Sequence, residues 1–296
     1  MNRYFSIFAL LVCLPLCPLY AAAQTPNADA NSNGSMALSP ARFELEMKPG
    51  TETTVVINLD YRAPEGAKKE PTRIVATLND WSLTRDGRVE FFRANYQPNS
   101  ASPWLIYTPG EAAVMPGSMH QIRVTIAVPA NATPGDHLAA LIIEQRPENL
   151  KTEPNLRQMI IRYRMATVFY IKVPGLTKRG SFENLYAEST PDGIVVTPTL
   201  KNEGNSLVRP VSSVKVVNAE GSIVAEMADF ESIPVLGGTE LSRPVLLNQA
   251  LAPGNYTVKY KVDFQDGSRA TEGVTDLVVK PATRIAALGT VPAQKP

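Results

Sequence analysis

The chain of 296 residues holds only two cysteines and two histidines, and these shortages remove most of the chemistry its length would allow. Both cysteines, Cys13 and Cys17, stand near the N-terminus, so the rest of the chain has no thiol for a disulfide, a metal site or a nucleophile. His120 and His137 lie apart, each opening an apolar stretch, without the clustered ligands that metal spacings require. No Gly-x-x-x-x-Gly-Lys-Ser/Thr loop is present to cradle a phosphate, and no Gly-x-Ser-x-Gly elbow to present a nucleophile. Asn79, Asp80 and Asp86 flank Trp81, but they lack the dense acidic spacing of a calcium loop and read as a strand end and a turn. The expectation is a protein without cofactor, metal or catalytic activity.

Charge of one sign is also lacking. The chain has 29 basic and 28 acidic residues, and loss of Arg3 with an N-terminal leader brings the two into balance. No basic stripe with interleaved aromatics appears, which argues against nucleic acid as a partner and against electrostatic binding to anionic lipid. The leader itself is plain: Arg3, then an apolar run from Tyr4 to Tyr20, then Ala21-Ala22-Ala23 as a small-residue cleavage site. The run is short for a bilayer and is interrupted by Pro15 and Pro18, so residues 1–23 are expected to be a removed signal peptide rather than a membrane anchor. Lipidation at Cys17 is disfavoured because Leu16 stands where a small residue is wanted. Export without cysteines suits a bacterial periplasm, with the cell surface as the alternative.

What the chain does have is a repeated phrase: Pro-Gly followed by alternating apolar residues. Pro49-Gly50 precedes Thr53–Leu59, Pro116-Gly117 precedes Gln121–Val128, Pro134-Gly135 precedes His137–Ile143, and Pro253-Gly254 precedes Asn255–Phe264. Proline presets φ and glycine supplies φ > 0, so each pair reverses the chain ahead of a strand. Asp86-Gly87, Asp192-Gly193 and Asp266-Gly267 add hairpin signals. No amphipathic helix of three or more turns is visible. Many short strands separated by turns predict an all-β protein of two immunoglobulin-like β-sandwich domains.

The segments follow from composition. Residues 24–36, rich in Asn, Ala, Ser and Gly, are expected to be a disordered tether, and the Ala- and Pro-rich residues 282–296 a disordered tail. Between them, residues 37–175 and 176–281 are expected to form one sandwich each, with Pro174-Gly175 opening the linker. Strands are predicted near 38–47, 52–60, 72–83, 87–93, 103–107, 120–128, 136–145 and 157–172, and then near 181–188, 193–202, 211–218, 222–228, 239–248, 254–264 and 270–280. Trp81 and Trp104 are expected to pack in or against a sheet, given the area an indole buries.

One set of residues resembles a known family. Leu38-Ser39-Pro40-Ala41-Arg42-Phe43-Glu44-Leu45, Val55 to Asn58, Ala76 to Trp81, Pro109, Val114 to Gly117 with Ile122 to Thr125, and Met159 to Tyr170 resemble the N-terminal domain of the periplasmic pilus chaperones of the chaperone–usher pathway. The resemblance implies that the last strand of the first domain, Leu156 to Ile171, pairs with an incomplete pilus subunit by strand complementation. It also implies two basic residues in the interdomain cleft that bind a carboxylate. Arg42 stands at the first place. The lysine of the second place is replaced by Thr167, and Arg164, three residues away, falls on the opposite face of a regular strand. Aligned on Phe169-Tyr170, the donated face would carry Gln158, Ile160 and Arg162, and the other face, with Met159, Ile161, Tyr163 and Met165, is assigned to the domain's own core. The implied partner-binding residues are therefore Arg42, Ile160, Arg162, Arg164 and Thr167. The implied partner is an exported pilin-like subunit, or another envelope protein if the chain is a non-enzymatic binding scaffold.

Overall fold

The computed structural model describes residues 35–63, 66, 70–146 and 162–281. Ile160 and most of the segment before Arg162 lie outside these, as do the leader and the C-terminal tail. The regular structure of the described chain is strand throughout, apart from one 3₁₀ turn at Ser102–Trp104.

The first sandwich begins with a segment shared between its two sheets. Strand β1 (Ser35–Ser39) pairs antiparallel with β3 (Glu52–Arg62), and β2 (Arg42–Glu46) crosses to the other sheet. Because β1 starts at Ser35 and buries Met36, the last two residues of the expected tether belong to the fold. One sheet runs in the order β1, β3, β8 (Met119–Ala127), β6 (Leu105–Thr108). The other runs β2, β10 (Arg164–Val173), β9 (Gly135–Gln145), β4 (Thr72–Leu83), β5 (Val89–Arg93), with β7 (Glu111–Val114) also on β4. Among the described strands of the domain every ladder is antiparallel except β2 with β10, and an isolated parallel bridge joins Ser100 to Leu138. Alternation places Ile57, Leu59 and Tyr61 of β3, Ile122, Val124 and Ile126 of β8, and Phe169, Ile171 and Val173 of β10 in one core.

The second sandwich follows the same logic. One sheet holds β11 (Gly180–Thr190), β12 (Gly193–Asn202) and the short strands β15 (Glu240–Ser242) and β16 (Val245–Leu247). The other runs β14 (Ile223–Glu231), β13 (Val211–Val217), β17 (Gly254–Asp263), β18 (Thr271–Val279). Val214 and Val216, Val258, Tyr260 and Val262, and Ile194 and Val196 meet between the sheets. Both units are immunoglobulin-like β-sandwiches, as the turn spacing predicts.

β9 explains how the two units meet. All but one of its eleven residues are buried, because both faces are covered. Ala139, Leu141 and Ile143 point into the first core, while Leu138 and Ala140 join Trp81 and Tyr170 against Leu207 and Leu236 of the second sandwich. The continuous apolar run Leu138–Ile143 is the sequence trace of a strand buried on both faces. Burial of each leucine contributed by the second sandwich stabilises the contact by about 2 kcal/mol. Trp81 and Tyr170 meet edge to face with ring centroids 5.0 Å apart, so Trp81 packs between the two sandwiches.

Polar latches flank that cluster. The Asp136 carboxylate accepts hydrogen bonds from Ser206 Oγ at 2.9 Å and from the Leu207 N–H at 2.7 Å, and its own N–H donates to the Asn205 carbonyl at 2.9 Å. Gly135, at φ 128°, admits this approach, since a Cβ there would sit 3.0 Å from the Asn205 oxygen. On the far side the β4–β5 turn docks on the second sandwich: Gly87 leaves room for Ile233, and Arg85 Nε lies 2.9 Å from Glu240 Oε1. That ion pair is exposed, with 66% and 39% of its side chains accessible. Arg85→Ala is therefore expected to change the free energy of unfolding by less than about 1 kcal/mol in a denaturant titration.

Candidate partner-binding edge and interdomain cleft

β10 has two neighbours of unequal length. β9 pairs with it from Arg164 to Val173, whereas β2 pairs only from Val168 to Lys172. The Gln145 N–H donates to the Tyr163 carbonyl at 2.9 Å, so odd-numbered residues of β10 exchange their backbone bonds with β9. Even-numbered residues direct theirs the other way, and the Val168 N–H accordingly reaches the Ala41 carbonyl at 3.0 Å. Above that point the N–H and C=O groups of Arg164 and Ala166 face outward, and no described strand covers them. β10 thus keeps a short open edge beyond the end of β2, the outer strand of the sheet.

The side chains divide by parity. Phe169, stacked on Phe43 with centroids 5.2 Å apart, marks the core face, and Met165 and Tyr163 pack against the same core. Thr167 shares that face. It is fully buried, and its hydroxyl donates to the Pro40 carbonyl at 3.1 Å, so it closes the crossing between β1 and β2 from inside. Thr167 therefore leaves the expected partner-binding set, because a residue in step with Phe169 and Ile171 points into the protein. The Met165 and Tyr163 assignments to the core agree with the sequence reading; Met159 and Ile161 fall outside the described residues.

The other face of β10 carries Arg164, Ala166, Val168, Tyr170 and Lys172, and it looks into the cleft between the sandwiches. Arg42 sits directly opposite Val168, so it shares this face, with 55% of its side chain accessible. Its Nε is 3.2 Å from Glu44 Oε1, while Lys172 Nζ is 2.9 Å from Glu44 Oε2. Arg209, reaching across from the second sandwich, also donates to Glu44. Burial raises the Glu44 pKa, but the Lys172 hydrogen bond and the charges of Arg209, Lys172 and Arg42 outweigh it and hold the carboxyl below its ordinary value. Burial, against smaller opposing charges, pushes the Tyr170 phenol up to about 12. One carboxylate thus stands among three cations at the mouth of the cleft. Lys172 and Arg209 continue into a hollow lined also by Lys178, Leu207 and Glu231.

The chain is similar to several solved structures. A chaperone–tip adhesin complex of CFA/I fimbriae is 12% identical, with a TM-score of 0.41 over 82% of this chain and 99% of that one. The SafB chaperone in complex with the SafA pilin of Salmonella enterica is 13% identical, at TM-score 0.40 over 81% and 96%. The CsuC–CsuE chaperone–tip adhesion subunit pre-assembly complex from archaic chaperone–usher Csu pili of Acinetobacter baumannii is 12% identical, at TM-score 0.39 over 82% and 98%. No protein-family model matches the chain, and no curated protein does.

The remaining sequence candidates are placed as follows. Arg162 and Arg164 are exposed, and Arg164 lies on the cleft face, opposite Glu144 of β9. β10 pairs with β9 without a register shift, so no bulge brings Arg164 into the place of Thr167. Ile160 is outside the described residues. The sequence reading missed Glu44, Lys172 and Arg209. Parity from Phe169 assigns Lys172 to the cleft face, and the same count removes Thr167 from it, but nothing local announces Arg209. Among the described residues no group of three or more His, Cys, Asp or Glu side chains gathers to hold a metal ion.

Proposed function

We propose that this protein is a periplasmic, chaperone-like binding protein that holds an exported pilus or surface-fibre subunit by β-strand pairing along the open edge of β10. The observation that carries the reading is the mismatch between β9 and β2. One side of β10 is paired throughout, and the other stops at Val168, which leaves the Arg164 and Ala166 backbone groups to a strand from elsewhere. Such an edge invites pairing, and a protein that keeps one beside an ordered cleft has a use for it. Arg42 lies on the adjoining cleft face, where it meets the end of a segment paired along this edge. The leader at residues 1–23 puts the binding event outside the cytoplasm, and the role requires no catalysis. The proposal rests on this edge rather than on the distant likeness to the chaperones above.

The test replaces Ala166 by proline. Its N–H points outward, so proline deletes one edge donor while leaving the β9 ladder intact, the position at which strands tolerate proline. The mature protein, carrying a photo-crosslinking residue at position 164, is expected to capture one exported β-rich subunit in its own periplasm. Ala166→Pro should abolish that adduct without lowering the thermal midpoint by more than a few degrees. Arg42→Ala should reduce the adduct. Capture that is unaffected by Ala166→Pro would overturn strand pairing.

A further inference from the structure

We infer that the segment taken by the β10 edge is acidic on one face and apolar on the other, a strand of alternating carboxylate and hydrophobic residues; this rests on the pairing role proposed above and specifies its partner. The charges along this surface are unevenly placed. Basic and acidic residues balance once the leader is removed and also at the lower end of the cleft, whereas the end beside the open edge of β10 carries more arginines than carboxylates. At its lower end Arg42, Lys172 and Arg209 surround Glu44, with Glu46 opposite Lys172. At the upper end Arg146, Arg162 and Arg164 stand near the carboxylate of Glu144, which lies 3.6 Å from Arg146, and the charge of Arg146 also reaches Glu111, the partner of Arg73. Arg162 and Arg164 have no ion-pair partner among the described residues. Among the described residues, two exposed guanidinium groups two residues apart are thus set beside two backbone positions that no strand pairs.

A strand laid on this edge continues the sheet, so its side chains alternate between the same two faces. Those opposite Arg162 and Arg164 meet positive charge, and carboxylates there form cross-strand pairs. Those on the other face meet Met165 and Tyr163, half-buried against the first core, and an apolar residue suits them. A polynucleotide would match the charge, but it offers neither a strand's N–H and C=O ladder nor an apolar face. The combination selects a peptide. Opposite charge also speeds the encounter, which favours a chaperone that must meet its client before the client's own edges aggregate.

The experiment titrates the mature chain with fluorescent peptides of about ten residues: alternating Glu and Val, the Gln-for-Glu counterpart, and the Lys-for-Glu counterpart. At low salt the Glu peptide is expected to bind roughly fivefold more tightly than the Gln peptide, the size of one or two cross-strand charge pairs. High salt should close the gap. The double substitution Arg162→Glu and Arg164→Glu should transfer the preference to the Lys peptide, and Ala166→Pro should weaken all three. Equal binding of Glu and Gln peptides, both lost in Ala166→Pro, overturns the acidic preference and leaves strand pairing standing. Binding of no peptide, or binding insensitive to Ala166→Pro, overturns both. Displacement of the Glu peptide by a single-stranded oligonucleotide at equal charge shows a polyanion site and overturns the assignment to a peptide.

Discussion

Replacing Asp80 by alanine is expected to destabilise the first sandwich by about 4 kcal/mol, the largest loss from any single polar side chain here. Asp80 is fully buried within β4, opposite Phe92 of β5, and gathers the chain that follows β5. Its carboxylate accepts from the N–H groups of Asn95, Tyr96 and Gln97, at 3.3, 2.7 and 2.8 Å, and from the hydroxyls of Ser100 and Ser102, at 2.6 and 2.5 Å. Alanine strands those donors around a cavity, where each unmet buried group costs about 1–3 kcal/mol. A calorimetric midpoint lower by roughly 10 °C would follow for a unit of this size. Burial raises the Asp80 pKa, but the hydroxyl and backbone hydrogen bonds outweigh it and leave the carboxyl below its ordinary 3.8. Its stabilisation is thus complete above pH 3.8 and is lost as pH falls through the depressed folded value. The gap between wild type and Asp80→Ala should therefore be constant near neutrality and narrow only in strong acid. A gap that narrowed between pH 5 and 7 would contradict this account.

Asp136→Ala is expected to act between the sandwiches rather than within one. It removes the acceptor that the buried Leu207 N–H and Ser206 hydroxyl share among the described residues, at a cost of about 2–3 kcal/mol. Because the lost bonds join the two units, the loss should appear as lost cooperativity. Wild type is expected to melt in one calorimetric transition and Asp136→Ala in two, with the first core near its original midpoint. Arg85→Ala serves as the control, since its ion pair is solvated and screened. A single unshifted transition in Asp136→Ala would mean that the apolar cluster of Trp81, Leu138, Tyr170, Leu207 and Leu236 holds the units together unaided.

Local pattern conveyed most strands and missed where they divide. Residues 38–47 read as one strand, but Pro40 offers no N–H to a ladder, and the chain changes sheets around it. Residues 239–248 read as one strand and become β15 and β16, separated at Arg243-Pro244. β7, four residues with two alanines, has too little alternation to stand out. The shared face of Arg42 and Arg164 was legible because strand parity acts over short range. Thr167 was misplaced because matching the Phe-Tyr pair took precedence over its own parity with Phe169. Arg209 was invisible for a different reason: it meets Glu44 from 165 positions away, and no periodic signal encodes such a pairing. Asp80 looked like a residue at a strand end because its five donors lie 15 to 22 positions downstream.

The division of the first segment between β1 and β2 also works as a ruler. β1 pairs out as far as Ser39, β2 begins at Arg42, and the Ala41 carbonyl already caps the Val168 N–H. Every two residues by which that crossing moved toward the C-terminus would uncover one more outward-facing position on β10, about 7 Å of additional edge. Moving it the other way would close the edge altogether. Under the proposed pairing, the length of strand that a partner can lay down is set by a proline on a neighbouring segment, and variants that relocate this proline should change the length of the crosslinked segment while every residue of β10 stays the same.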